Sequence, residues 1–202
     1  MQQLIDLQQQ VFEANKAKGF WKDAENRDKE EAVALMIGEL YESLEGHRKG
    51  RDASMNLLSL YDDTSINDVY ILVNADLILL TDLHYSSFIE THIKDTWQDE
   101  LADAVIRLLD YTGGFGITLI ADDGSAVGQA LPKNFGAAIL HIDWRIQHVI
   151  MSKEESWRTR GWSYVLHEIV DLARREGCNL YQHVIWKLKY NTMREHLHGK
   201  KY

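Results

Sequence analysis

Two short acidic motifs in this chain repeat one pattern. The first is Glu39-Leu40-x-Glu42-x-Leu44 within GELYESLEG, and the second is Glu100-Leu101-x-Asp103-x-Val105 within DELADAVIR. Laid on helices at about 100° per residue, the two acids of each motif lie about 60° apart. Val33, Met36, Ile37, Leu40 and Leu44 form an apolar stripe beside the first pair, and Leu101, Ala104, Val105 and Leu108 form the matching stripe beside the second. If the stripes pack together in a bundle, the carboxylate pairs face one another. Four facing carboxylates repel and cannot all ionise cheaply. A hard cation resolves the conflict, because Mg²⁺ takes oxygen ligands, keeps several waters and bridges carboxylates to phosphates. Glu39, Glu42, Glu100 and Asp103 are therefore candidate metal ligands and candidate catalytic residues. One ExxE alone is usually a solvated helix face. The second copy, at the same offset from an apolar stripe, is what points to a site. Glu45 extends the first row by three residues, either as a supporting group or as a solvated one.

The elements that must position these residues read mainly as helices. Pro132 is the single proline, and long stretches of Leu, Glu, Lys, Ala and Arg permit long helices. The pattern predicts helices over Leu4–Lys18, Lys29–Lys49, Trp97–Tyr111, Gly161–Glu176 and Leu180–Glu195, which gives an all-α fold. Ile66–Leu83 is read as a further helix, with strand as the alternative. The run Gly113–Gly116 is expected to cap the Trp97–Tyr111 helix. Asp122–Gly136, with its glycines and Pro132, is expected to be an irregular loop, and Gly177 to end the helix before Cys178. No fixed-period repeat or low-complexity tract is found.

With the acidic motifs in view, the chain resembles the MazG-like branch of the all-α nucleoside triphosphate pyrophosphohydrolases. The resemblance rests on Glu39/Glu42 and Glu100/Asp103 and on their flanks, LMIGELYESLEGHRKG and DELADAVIRLLDYTGG. The C-terminal WKLKYNTMREHLHGKKY agrees with it. These blocks cover roughly half the chain. The resemblance implies a single helical-bundle domain over residues 1–202, with insertions at about 52–98 and 117–160. It also implies a homo-oligomer, dimer or tetramer. The implied activity is Mg²⁺-dependent cleavage (Mn²⁺ as substitute) between the α- and β-phosphates of a nucleotide, giving a nucleoside monophosphate and pyrophosphate. Glu39, Glu42, Glu100 and Asp103 carry over as the metal ligands. The two long separations leave the substrate pocket open.

A triphosphate also needs basic donors. Lys187, Lys189, Arg194, Lys200 and Lys201 fall within 15 residues, with Asn191 among them. On a helix, Lys187, Asn191 and Arg194 share one face. The resemblance to the family's K-x-x-x-N-x-x-R stretch implies that this face meets the phosphates. The alternative is a basic helix end that complements the macrodipole. Trp21, within KGFW, is the candidate platform for a base, since stacking tolerates any base; its other reading is a core filler.

Composition excludes several classes. With 22 Lys+Arg against 31 Asp+Glu, the net charge is −9, which counts against a nucleic acid polymer as partner but not against one small nucleotide. Cys178 is the only cysteine, so there is no intramolecular disulfide and no Cys-rich zinc site. No P-loop and no HExxH pattern occurs. No apolar run approaches the roughly 20 residues of a membrane span, and MQQLIDLQQQ has no signal-peptide character, so a cytoplasmic protein with no membrane partner is expected. The competing functions are hydrolysis of another diphosphate-containing nucleotide such as an alarmone, a non-catalytic nucleotide-binding protein, and a helical interaction protein that binds no metal.

Overall fold

The computed structural model describes residues 1–23, 27–53, 58–61, 69–73, 76–80, 82–121 and 130–194. The fold is an all-α bundle. In chain order its helices are α1 (Gln2–Asp6), α2 (Gln8–Ala17), α3 (Lys29–Arg48), α4 (Asp82–His92), α5 (Trp97–Gly114), α6 (Phe135–Met151), α7 (Glu155–Arg175) and α8 (Leu180–Met193). Between α3 and α4 lie three short strands, β1 (Leu58–Tyr61), β2 (Val69–Val73) and β3 (Asp76–Leu80).

The bundle is organised around α5. Leu101, Ala104, Val105, Leu108 and Leu109 are all fully buried, and α5 packs against α2, α3, α7 and α8. The Thr96 side chain starts the helix by accepting from the Asp99 backbone N–H. The α3 helix is the one expected at Lys29. The Asp28 side chain accepts from Glu31 N at 2.9 Å, Glu30 and Glu31 lie in the first turn, and His47 and Arg48 lie in the last. Val33, Met36 and Leu40 bury the expected stripe. Gly46 permits the close approach of α3 to α5, because a Cβ there would sit 3.0 Å from the Trp97 backbone nitrogen.

Several sequence expectations change. The segment read as a helix over Ile66–Leu83 carries strands instead. β2 pairs antiparallel with both β1 and β3, in the register Leu58↔Leu72 and Val69↔Leu80. Val69, Tyr70, Ile71 and Val73 are β-branched or aromatic, and only two residues separate β2 from β3, which favours a tight hairpin over a helix. The Leu4–Lys18 helix is broken at Leu7 into α1 and α2.

The run expected to cap α5 does so through Gly116, which follows the cap residue Phe115 at φ 66°, while Gly114, the last residue of the helix, is a packing site where a Cβ would stand 1.9 Å from Trp21. Gly161 lies inside α7, where a Cβ would meet Val149 at 2.3 Å. The loop expected up to Gly136 gives way to α6, whose first turn is capped by Asn134 accepting from Ala137 N at 3.1 Å. Gly124 and Gly128 lie outside the described residues.

A smaller core lies to one side. Ala53, Tyr85, Phe88, Ile89 and Ile93 close on Trp186 and Tyr190 of α8. Tyr85 donates its hydroxyl to the Trp186 carbonyl at 2.7 Å. Among the described residues, no helix is long and apolar enough to cross a membrane.

Candidate functional site

The packing of α3 on α5 brings the two acidic motifs together. Carboxylate oxygens of Glu39, Glu42 and Glu100 lie within 4.8 Å of one another. Glu100 is buried and Glu42 exposed, so the cluster runs from the bundle interior to solvent. This placement follows from helical spacing. Leu40 and Leu101 are both fully buried in the seam, and the acids flank them.

The charges are compensated unevenly. Glu39 is held by Arg107 of α5 at 2.6 Å. Asp103 is held by Lys187 of α8 at 2.8 Å, and the same ammonium reaches Asp99 at 2.7 Å. Asp103 thus sits one turn from Glu100 but stands in an ion pair, apart from the three-carboxylate cluster. Glu100 lies between these pairs, and among the described residues no cation pairs with it. Burial pushes the Glu100 carboxyl up, and the Asp103 and Asp99 charges push it further, to about 9. Burial also raises Asp99, to about 6, against the opposing pull of Lys187. Burial alone would push the Lys187 ammonium down, but Asp103 and Asp99 outweigh it and the net shift is upward.

Asp99 and Arg107 belong to the site although the motif reading passed over them. Asp99 is 1% exposed, and its Oδ1 has no hydrogen-bond partner. The signal was present as spacing: Asp99, Asp103 and Arg107 recur every four residues along one helix face.

The C-terminal residues divide. Lys187 is buried and committed to Asp99 and Asp103. Asn191, one turn on, is half-buried, and its Oδ1 has no hydrogen-bond partner. Arg194 ends α8, with its guanidinium 5.8 Å from the Tyr190 ring centre. Lys200, like His196 and His198, lies outside the described residues. Trp21 is packed at another level of α5. Its indole N–H donates to Asp110 Oδ1 at 2.8 Å, Arg27 covers its ring at 4.0 Å, and Phe12 and Phe115 meet it edge-on. Asp110 lies seven residues beyond Asp103, roughly 10 Å along the axis. The structure therefore brings Glu39, Glu42 and Glu100 together, sets Asp103 beside them in its ion pair with Lys187, and places Trp21 apart.

The donor set suits a hard divalent cation. All three clustered ligand groups are carboxylates, two helices supply them, and the buried Glu100 forms no ion pair among the described residues. Comparison of the chain with family models, with curated proteins and with solved structures finds no match in any of the three.

Proposed function

We propose that this protein is a divalent-cation-dependent nucleotide pyrophosphohydrolase, converting a (deoxy)nucleoside triphosphate and water to the monophosphate and pyrophosphate. A role in clearing nucleotides from the pool fits that chemistry. One observation carries the reading: three carboxylates from two helices converge within 4.8 Å around a buried acid that forms no ion pair among the described residues. Glu39, Glu42 and Glu100 would hold Mg²⁺ or Mn²⁺. When bound, such an ion supplies positive charge against phosphate oxygens.

The chain's own groups divide the remaining work. Arg107 fixes the Glu39 carboxylate, and Lys187 fixes Asp103 and Asp99, so the acids enter the reaction already oriented. The exposed Glu42 places the open side of the cluster toward solvent, where a polyphosphate can approach. Asn191 and Arg194, following Lys187 on α8, are the amide and guanidinium donors for its oxygens. In the reaction, water oxygen bonds to the α-phosphorus, the bond to the α–β bridging oxygen breaks, and that oxygen leaves with pyrophosphate. Association of the chain into a homo-oligomer belongs to the same reading.

The test is incubation with a panel of NTPs, dNTPs and alarmones plus Mg²⁺, with products resolved by chromatography. Pyrophosphate and monophosphate are expected from the wild type, with loss in Glu39→Gln and Glu42→Gln. Turnover equal to wild type in both variants, or no turnover on any substrate, rejects the reading. Calorimetry with Mg²⁺ alone separates a protein that binds metal without turnover from one that binds none.

A further inference from the structure

We infer that Arg48 and Lys49, at the end of α3, form the subsite for the terminal phosphates of the substrate, and that Glu45 occupies this subsite until phosphate displaces it. The inference rests on the nucleotide reading above and gives a role to two cations which that reading does not use.

The charged row on α3 continues past Glu42. Glu45 follows after three residues and Lys49 after seven. At about 100° and 1.5 Å per residue, Lys49 lies within about 20° of the direction of Glu42 and about 10 Å further along the helix. The α3 helix runs antiparallel to α5, since Glu39 meets Arg107 whereas Gly46 lies against the Trp97 backbone. The row therefore leads from the exposed Glu42 past the start of α5. A polyphosphate held at the cluster through one phosphate projects the others along this row.

Both cations already converge on one oxyanion. Arg48 donates from Nε to Glu45 Oε2 at 2.9 Å and from Nη2 to Oε1 at 3.0 Å, the two-pronged grip that a guanidinium also gives to phosphate. Lys49 Nζ reaches the same Oε1 at 2.6 Å. The Glu45 carboxylate thus stands in for a phosphate. It sets one negative charge against two positive ones, which leaves a positive charge at this end of an acidic chain. A terminal phosphate carries about two negative charges and matches both cations.

The turn that presents them is fixed, and the side chains are open. Gly50 takes the left-handed conformation at φ 63°, and Arg51 N–H donates to the Gly46 carbonyl at 2.9 Å. Trp97 N–H donates to the Arg51 carbonyl at 3.2 Å, which ties the turn to α5. The Arg48 side chain is 70% exposed and that of Lys49 46%, so an anion reaches them without disturbing the core.

Calorimetric titration of the wild type with pyrophosphate in Mg²⁺ tests the subsite without requiring turnover. Binding is expected, and the double variant Arg48→Met with Lys49→Met is expected to weaken it by about tenfold or more. Mg²⁺ alone should bind that variant no more weakly than the wild type, with an unchanged far-UV circular dichroism spectrum. Glu45→Gln removes the competing anion and is expected to tighten pyrophosphate binding. A wild type that binds no pyrophosphate, or a double variant of equal affinity, overturns the inference. So does weaker binding in Glu45→Gln, which would make Glu45 a support of the site and not its occupant. Nucleotide turnover is read separately. Pyrophosphate binding that depends on both cations, with no turnover on any nucleotide, rejects the pyrophosphohydrolase reading alone. Turnover with a pyrophosphate affinity indifferent to them rejects the subsite alone.

Discussion

The Lys187 ammonium lies 2.8 Å from Asp103 and 2.7 Å from Asp99, so one cation of α8 serves two carboxylates a turn apart on α5. The pairing divides the acidic residues into two sets. Asp99 and Asp103 share the Lys187 ammonium, whereas Glu100 forms no ion pair among the described residues. The difference between these sets generates most of the behaviour expected of the site.

Removing the ammonium exposes what it compensates. Lys187→Met leaves two carboxylates without their cation in the bundle interior. A buried pair broken on one side typically costs about 3–5 kcal/mol. Urea unfolding is expected to show a loss of that order at pH 7. Adding Asp99→Asn should recover part of it, and a double variant no more stable than Lys187→Met would contradict the shared-cation account.

Glu100 responds in the opposite sense. Its folded-state pKa, about 9, lies above its ordinary value near 4.5. The folded chain therefore binds this proton more tightly than the unfolded chain, and metal-free stability falls as pH rises through that window. Glu100→Gln is expected to stabilise the fold in EDTA at pH 8 by on the order of 2 kcal/mol, seen as a higher melting temperature. The same change should abolish the stabilisation that Mg²⁺ gives the wild type. Thermal scans with EDTA and with Mg²⁺ read both effects, and a wild type indifferent to Mg²⁺ contradicts the second.

His183 gives a second pH signature, independent of the metal. Burial lowers its pKa to about 4 from an ordinary 6.5, so the folded protein keeps the ring neutral. Between these values the unfolded chain binds the extra proton, and stability drops as pH falls through the window. From pH 7 to pH 5 the loss is roughly 2 kcal/mol. His183→Gln should flatten that segment of the stability profile measured by urea titration.

Gly114→Ala tests the packing that hides Trp21. The new methyl would overlap the indole and displace it from Asp110 and Arg27. Overpacking of this kind costs about 1–3 kcal/mol. A shifted tryptophan emission with lowered melting temperature is expected; an unaltered emission spectrum would show that the indole is not held there.

The acidic cluster was legible in the sequence because helical geometry converts spacing into direction. Leu40 and Leu101 had to turn inward, and Glu39, Glu42 and Glu100 followed from their offsets. The third helix was less visible. Lys187 reads as a phosphate donor from its spacing to Asn191 and Arg194, and only the docking of α8 on α5 shows which carboxylates claim it. Trp21 illustrates the same limit, since a lone indole looks alike whether it faces a base or Gly114. The strands within 58–80 and the α6 helix escaped for local reasons. A short apolar run suits either strand or helix, and α6 sits directly behind a glycine- and proline-bearing stretch that reads as loop.

The ion pair between α5 and α8 spans 88 residues of sequence. Because α8 comes after α5, a chain emerging from the ribosome presents Asp99 and Asp103 well before the lysine that neutralises them. Until α8 docks, those acids stay hydrated and oppose burial of the helix around which the bundle is organised. Collapse of the centre is thereby tied to arrival of the C-terminal helix, which makes assembly of this bundle a late, long-range event instead of a hairpin-by-hairpin one.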